Sequence, residues 1–98
     1  MSVTAEPVTL SLPAELGMAQ LMELQDQLNQ SLEAEGPVTL DAHEVARIHT
    51  AALQLFCLFC RDRRATGRAT RWQDPSPALK SAAALLGMTT LLQLSREV

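Results

Sequence analysis

The sequence predicts an α/β domain: a small mixed sheet of about four strands, with helices packed mainly on one face. Three observations carry that class. The run at 8–12 alternates apolar and polar residues, which marks a strand with one buried side, and further short strand-like runs occur at 38–41 and 68–72. Between them lie stretches whose apolar residues recur at steps of three and four, the spacing of one helix face. The resulting order, β-α-β-α-β-α followed by one short piece, requires crossovers and so implies at least some parallel pairing.

Each element has its own signals. Residues 8–12, VTLSL, form the first strand, and Pro13 closes it. In 15–34, Met18, Leu21, Leu24, Leu28 and Leu32 make an apolar stripe, opposite Gln20, Glu23, Asp26, Gln27 and Gln30. This predicts a surface helix ended by Gly36-Pro37. VTLD, 38–41, is a short strand stopping at Asp41. A loop over 42–48 follows, with Val45 and Ile48 pointing inward. The second helix runs over 51–65, with Thr50 as its natural N-cap and Gly67 as its stop. Arg61, Arg63 and Arg64 fill its last turn, where cations suit the helix dipole. Its middle, AALQLFCLFC, is apolar on nearly every side and is expected to be covered on more than one face. RATRW, 68–72, is the third strand. Ser76 and Pro77 suit the N-cap and first position of a third helix, with Leu79, Ala82, Ala83 and Leu86 inward and Gly87 at its end. TTLLQL, 89–94, is a last short element, strand or helical turn.

At 98 residues and 10.7 kDa the chain reads as a single domain over 1–98. Hydrophobic residues at 47% and charged residues at 19% exclude a disordered or fibrous chain. No apolar run approaches the roughly 18 residues of a membrane span, so no membrane insertion is expected. MSVTAEP lacks the basic and apolar regions of a signal peptide, which points to the cytoplasm. The only aromatics are Phe56, Phe59 and Trp72, too few for a base-stacking surface. Charge is uneven: residues 1–46 hold eight acids and no Lys or Arg, whereas 47–98 hold eight bases and three acids. Such asymmetry steers a charged partner, or simply places acids and bases on opposite solvated faces. The basic run 61–71 holds five arginines. In an acidic chain without a recognition helix, a helix C-terminus and an edge strand explain it, and nucleic-acid binding is not expected.

No catalytic constellation emerges: there is no phosphate loop, no H-E-x-x-H and no nucleophile elbow. Asp41 with His43 or His49 is an ordinary pairing at this composition. Cys57 and Cys60 form C-x-x-C, but lie two turns into an apolar helix beside Phe56 and Phe59. There they act as small core hydrophobes and should stay reduced and buried. Two cysteines, with His43 and His49 in a loop, make a poor zinc set. Hence no enzyme, no cofactor and no metal are expected. Thr50 is the residue to single out. Its plain role is an N-cap worth about 1 kcal/mol. Its functional role is a hydroxyl at a helix N-terminus, where unpaired N–H groups and the dipole accept a phosphate, or where a partner docks.

The stretch VTLDAHEVARIHTAALQLF resembles the corresponding part of STAS domains, the fold of anti-sigma factor antagonists, in which a strand ends in Asp and a helix opens with D-S-[ST]-G-L. Asp41 matches the strand-end Asp, Thr50 falls where the phosphorylated serine sits, and Leu53 falls on the motif Leu. The later R-x-x-x-G, strand, helix and TTLLQL also fit, so the resemblance runs from about Val8 to Leu94. His49, Ala51 and Ala52 replace the motif Asp, second hydroxyl and Gly. The form D-T-[GA]-[GA]-L, which includes the STAS subunit of the bacterial lipid-asymmetry ABC transporter, is the better match. The resemblance implies a bacterial, non-enzymatic module for partner switching. Thr50 would be the phosphorylated or contact residue, and His49, Ala51, Ala52 and Asp41 the partner-contact residues. It implies a protein partner, either an anti-sigma factor, kinase-like or chemotaxis signalling protein, or an ABC ATPase. A monomer or weak homodimer is expected.

Overall fold

The computed structural model describes residues 7–94. Strands β1 (Val8–Ser11), β3 (Val38–Asp41) and β5 (Thr70–Gln73) form one sheet in the order β1-β3-β5. Strands β2 (Glu15–Leu16) and β4 (Arg47–Ile48) form a separate two-stranded pair. The helices are α1 (Leu21–Ser31), α2 (Thr50–Ala65) and α3 (Pro77–Leu85).

The α/β class is as expected, but two details of the sheet differ. All pairings among the described residues are parallel, not mixed. The cause is the chain order, since α1 bridges β1 to β3 and α2 bridges β3 to β5, and a helix crossover returns the chain in the same direction. The main sheet also has three strands rather than about four. The other extended pieces are two residues long each and pair only with one another.

The register explains why each strand reads as half-buried. Val8, Val38 and Thr70 lie side by side, as do Leu10, Leu40 and Trp72. This face meets the helices: Val38 and Leu40 are completely covered, and Val8, Leu10 and Trp72 pack against the same core. The alternate face carries Thr9, Ser11, Thr39, Asp41, Arg71 and Gln73, and among the described residues it stays polar. Helices on one face are therefore what the strand alternation encodes.

α1 starts later than its periodicity suggests. Leu16 is drawn into β2 and Gly17 stays extended, with its N–H donating to Gln20 Oε1 at 2.8 Å. Residues 18–20 make one 3₁₀ turn, which leaves Met18 65% exposed instead of inward. The inward stripe reduces to Leu24 and Leu28, with Leu21 and Leu32 half-buried. α2 buries Ala52, Leu53, Phe56, Phe59 and Cys60, and Phe56 meets the Trp72 ring edge-on at 5.3 Å. α2 and α3 end alike. Gly67 and Gly87 adopt φ of 76° and 69°, and the following N–H groups of Arg68 and Met88 reach back to the carbonyls of Arg63 and Ala83 at 2.8 Å. This is the Schellman stop that glycine permits. That turn consumes the residues before Thr70, so β5 begins two residues after its expected start. Ser76 caps α3 through its hydroxyl, which accepts from Leu79 N–H at 3.1 Å. Leu86, expected inward, is 45% exposed because it sits at the cap. Residues 89–94 form a helical turn, and the Leu92 carbonyl accepts the Trp72 indole N–H at 2.7 Å.

Both cysteines are free thiols. Cys60 is buried, and loss of hydration pushes its pKa up to about 12. Cys57, expected to be buried, is only half-buried, because it lies one residue off the inward stripe. A thiol reagent at pH 8 should label Cys57 slowly and Cys60 only on unfolding. Rapid labelling of both in folded protein would contradict this packing.

Candidate functional site

The site is built where β3, the β2–β4 pair and α2 converge. Leu16 and Ile48 are register partners, and the Leu16 carbonyl accepts His49 N–H at 2.8 Å. The parallel pair thereby fixes the residue that precedes α2. Glu15 and Arg47 face one another in the same register.

The helix cap is His49, not Thr50. His49 has extended backbone, and its Nδ1 accepts Ala51 N–H at 3.0 Å. Its carbonyl accepts from Ala52 at 2.9 Å and Leu53 at 3.2 Å. Imidazole here supplies the acceptor that a serine or aspartate usually supplies. The expected N-cap role of Thr50 is thus corrected: Thr50 is the first helical residue, exposed, and its hydroxyl has no hydrogen-bond partner among the described residues. A free hydroxyl on the first turn of a 16-residue helix faces the positive end of the dipole.

The remaining expected contact residues divide. Ala51 is half-exposed beside Thr50. Ala52 is fully covered and part of the core. The expectation that it touches a partner is corrected, since its small side chain instead lets α2 lie close to its neighbours. Asp41 ends β3, and its carboxylate turns to the following loop, accepting from His43 N–H at 3.3 Å and pairing with His43 Nδ1 at 2.8 Å. It holds the 41–45 turn and makes no hydrogen bond to Thr50.

The Asp41–His43 pair is electrostatically coupled. The hydrogen bond to Asp41, then its charge, raises the His43 pKa above the ordinary imidazole value. The same bond lowers that of Asp41. Both groups are therefore charged in a window from the lowered carboxyl value to the raised imidazole value. His43 contributes to stability fully below the unfolded imidazole pKa, and that contribution is lost as pH rises through the raised folded value. Asp41 contributes above the unfolded carboxyl pKa, and that contribution is lost as pH falls through the lowered folded value. The His43 ring signals in an NMR titration should move at a higher pH than a free imidazole, and Asp41→Asn should return the midpoint toward the free value. An unchanged midpoint in Asp41→Asn would exclude the pairing.

Beside the turn lies a hollow of about 300 Å³ lined by Leu12, Leu16, Glu23, Gln27 and Glu44 among others. Among the described residues no group of three His, Cys, Asp or Glu side chains is arranged to hold a metal ion.

Arg63, expected to serve the dipole at the end of α2, is instead fully buried. Its guanidinium donates to the carbonyls of Ser31, Leu32, Ala34, Gly36 and Ala69 and to Thr70 Oγ1, at 2.8 to 3.2 Å, and lies 5.8 Å from the Phe59 ring centre. The signal was present, because Arg63 continues the stripe of Phe56, Phe59 and Cys60 at helical spacing.

The same arrangement of sheet and helices is found in proteins already known. A family model described as "Mlab, STAS domain" matches residues 1–93. The chain belongs to the STAS domain family. Among solved structures, the STAS-domain chain is similar to the phosphorylated form of the Bacillus cell fate determinant SpoIIAA. The TM-score is 0.70 at 17% identity, over 93% of this chain and 84% of that one. No curated protein matches. No helix of the described residues is long and apolar enough to cross a membrane.

Proposed function

We propose that this STAS domain is a non-enzymatic, anti-sigma factor antagonist-like interaction module of the bacterial cytoplasm, which regulates a signalling partner through the turn before α2 and the helix start. The single observation that carries the reading is Thr50: exposed, its hydroxyl without a hydrogen-bond partner among the described residues, and relieved of capping by His49. With the cap supplied by His49, the Thr50 hydroxyl serves no backbone donor of α2 and stands open to a partner. The partner is an anti-sigma factor, kinase-like or chemotaxis protein. His49 and Ala51 flank the contact, and Asp41 holds the neighbouring loop. A kinase partner would transfer the terminal phosphoryl group of ATP to Thr50 Oγ1, releasing ADP and the hydroxyl proton. The product carries nearly two negative charges beside a helix N-terminus and blocks docking by repulsion and desolvation.

A second reading rests on the run Thr50-Ala51-Ala52-Leu53, the T-[GA]-[GA]-L form of the motif. In it, the same surface binds the ATPase of a phospholipid-transport ABC system. Affinity capture from the native host with wild-type, Thr50→Ala and Thr50→Asp baits tests both. A stoichiometric protein held by wild type and released by Thr50→Asp is expected, and its identity as kinase-like protein or ABC ATPase chooses between them. Equal capture by all three baits would remove Thr50 from the interface.

A further inference from the structure

A second recognition surface lies along β5, the outer strand of the main sheet. The carbonyls of Ala69 and Gln73 accept from Val38 and Ala42 N–H at 3.1 and 3.2 Å on the β3 side. Backbone groups of successive strand residues point to opposite sides, so the N–H and C=O of Thr70 and Trp72 face the open edge. Among the described residues no strand pairs with that edge. A groove of about 780 Å³ runs beside it, lined by Arg64, Arg68, Thr70, Arg71, Trp72 and Gln93 with a few neighbours, none of these described residues acidic. The ion pairs of the described residues leave all three arginines without a carboxylate.

We propose that this edge takes an extended acidic segment of a partner protein, added as a further strand on β5. The free backbone groups of Thr70 and Trp72 supply the ladder, and Arg64, Arg68 and Arg71 select carboxylates on the incoming strand. Charge on an edge strand ordinarily deters pairing. Here the charge has one sign, so it repels basic strands and admits acidic ones. A second copy is the wrong occupant, because β5 against β5 sets arginine against arginine. The surface is separate from the α2 start: Arg64 is fourteen residues beyond Thr50, about 21 Å along the helix.

Trp72 is the sole tryptophan of the chain, so its fluorescence reports on the groove. The probe is a ten-residue peptide alternating glutamate and valine, titrated into the full chain. Controls are its lysine–valine counterpart and a version with alternate backbone nitrogens methylated. The expected result is a saturable emission change with the glutamate peptide, none with the lysine peptide and weaker binding after methylation. Amide exchange at Thr70 and Trp72 should slow. Arg68→Glu with Arg71→Glu should weaken binding at least about tenfold, and Arg68→Gln with Arg71→Gln, a milder pair should the reversal unfold, should weaken it several-fold. Thr50→Asp should bind the peptide as wild type does, which keeps this outcome independent of the α2 interface. No saturation up to about 1 mM peptide, equal binding of the lysine peptide, affinity unmoved by the arginine substitutions, or displacement by a single-stranded oligonucleotide at lower concentration would each overturn the proposal.

Discussion

Replacing Arg63 with methionine is expected to destabilise the domain by about 3 kcal/mol or more, lowering Tm by more than about 10 °C. The side chain is fully buried, and among the described residues it pairs with no carboxylate; its charge is met by carbonyl oxygens, two of them at the C-terminal end of α1, where the helix dipole is negative. No backbone N–H of the described residues donates to the carbonyls of Leu32, Ala34 or Gly36. Methionine fills the volume but strands these acceptors out of water, and the cost of the variant is mostly theirs. Arg63→Lys keeps the charge but brings three donors in place of five in a rigid fork, so it should recover only part of the loss. Urea unfolding with an unchanged slope separates a stability change from a change in the unfolded chain. A Thr70→Val variant should lose far less, since one acceptor of six is removed. Stability of Arg63→Met equal to wild type would mean that the guanidinium does not hold the α1–β3 connection.

The second large effect is expected at Thr50, in binding rather than stability. Thr50→Asp should weaken the captured partner by at least about 30-fold, equivalent to 2 kcal/mol, while unfolding free energy stays within about 0.5 kcal/mol of wild type. The separation follows from the cap geometry. The Thr50 hydroxyl satisfies no backbone donor, so Thr50→Ala is close to neutral, against the roughly 1 kcal/mol that an N-cap would cost. That cost moves to His49→Ala, which orphans Ala51 N–H. An aspartate on the first turn suits the dipole and imitates part of a phosphate's charge at the docking surface. Calorimetric titration with thermal melts of the same samples checks both halves.

Much of this fold was legible in the residues. The alternation of VTLSL and the short runs VTLD and RATRW located the three sheet strands to within two residues, because a strand covered on one side keeps its apolar side chains on that side. The glycine and serine-proline signals located the stops of α2 and α3 and the start of α3. What escaped were features set by distant partners. Glu15–Leu16 and Arg47–Ile48 become strands only because they find each other, and neither pair of residues carries a strand signal of its own. The same pairing took residues from the start of α1 and turned Met18 outward. At the site, Asp41 ends β3 as expected, while Thr50 lies one residue inside the helix rather than at its cap. The transfer of capping to His49 was not legible, because histidine is a rare cap and Thr50 satisfied the ordinary rule. Arg63 was read by its charge, whereas its position on the Phe56–Phe59–Cys60 stripe decided its fate.

The start of α2 is the docking surface proposed for this domain. Hydrogen–deuterium exchange of the full chain, free and saturated with its captured partner, tests it most directly, because each segment reports its own protection. The expected result is partner-induced slowing concentrated in peptides covering 43–54, with 8–11 unchanged. Protection confined to other segments, with 43–54 exchanging as in the free chain, would contradict it.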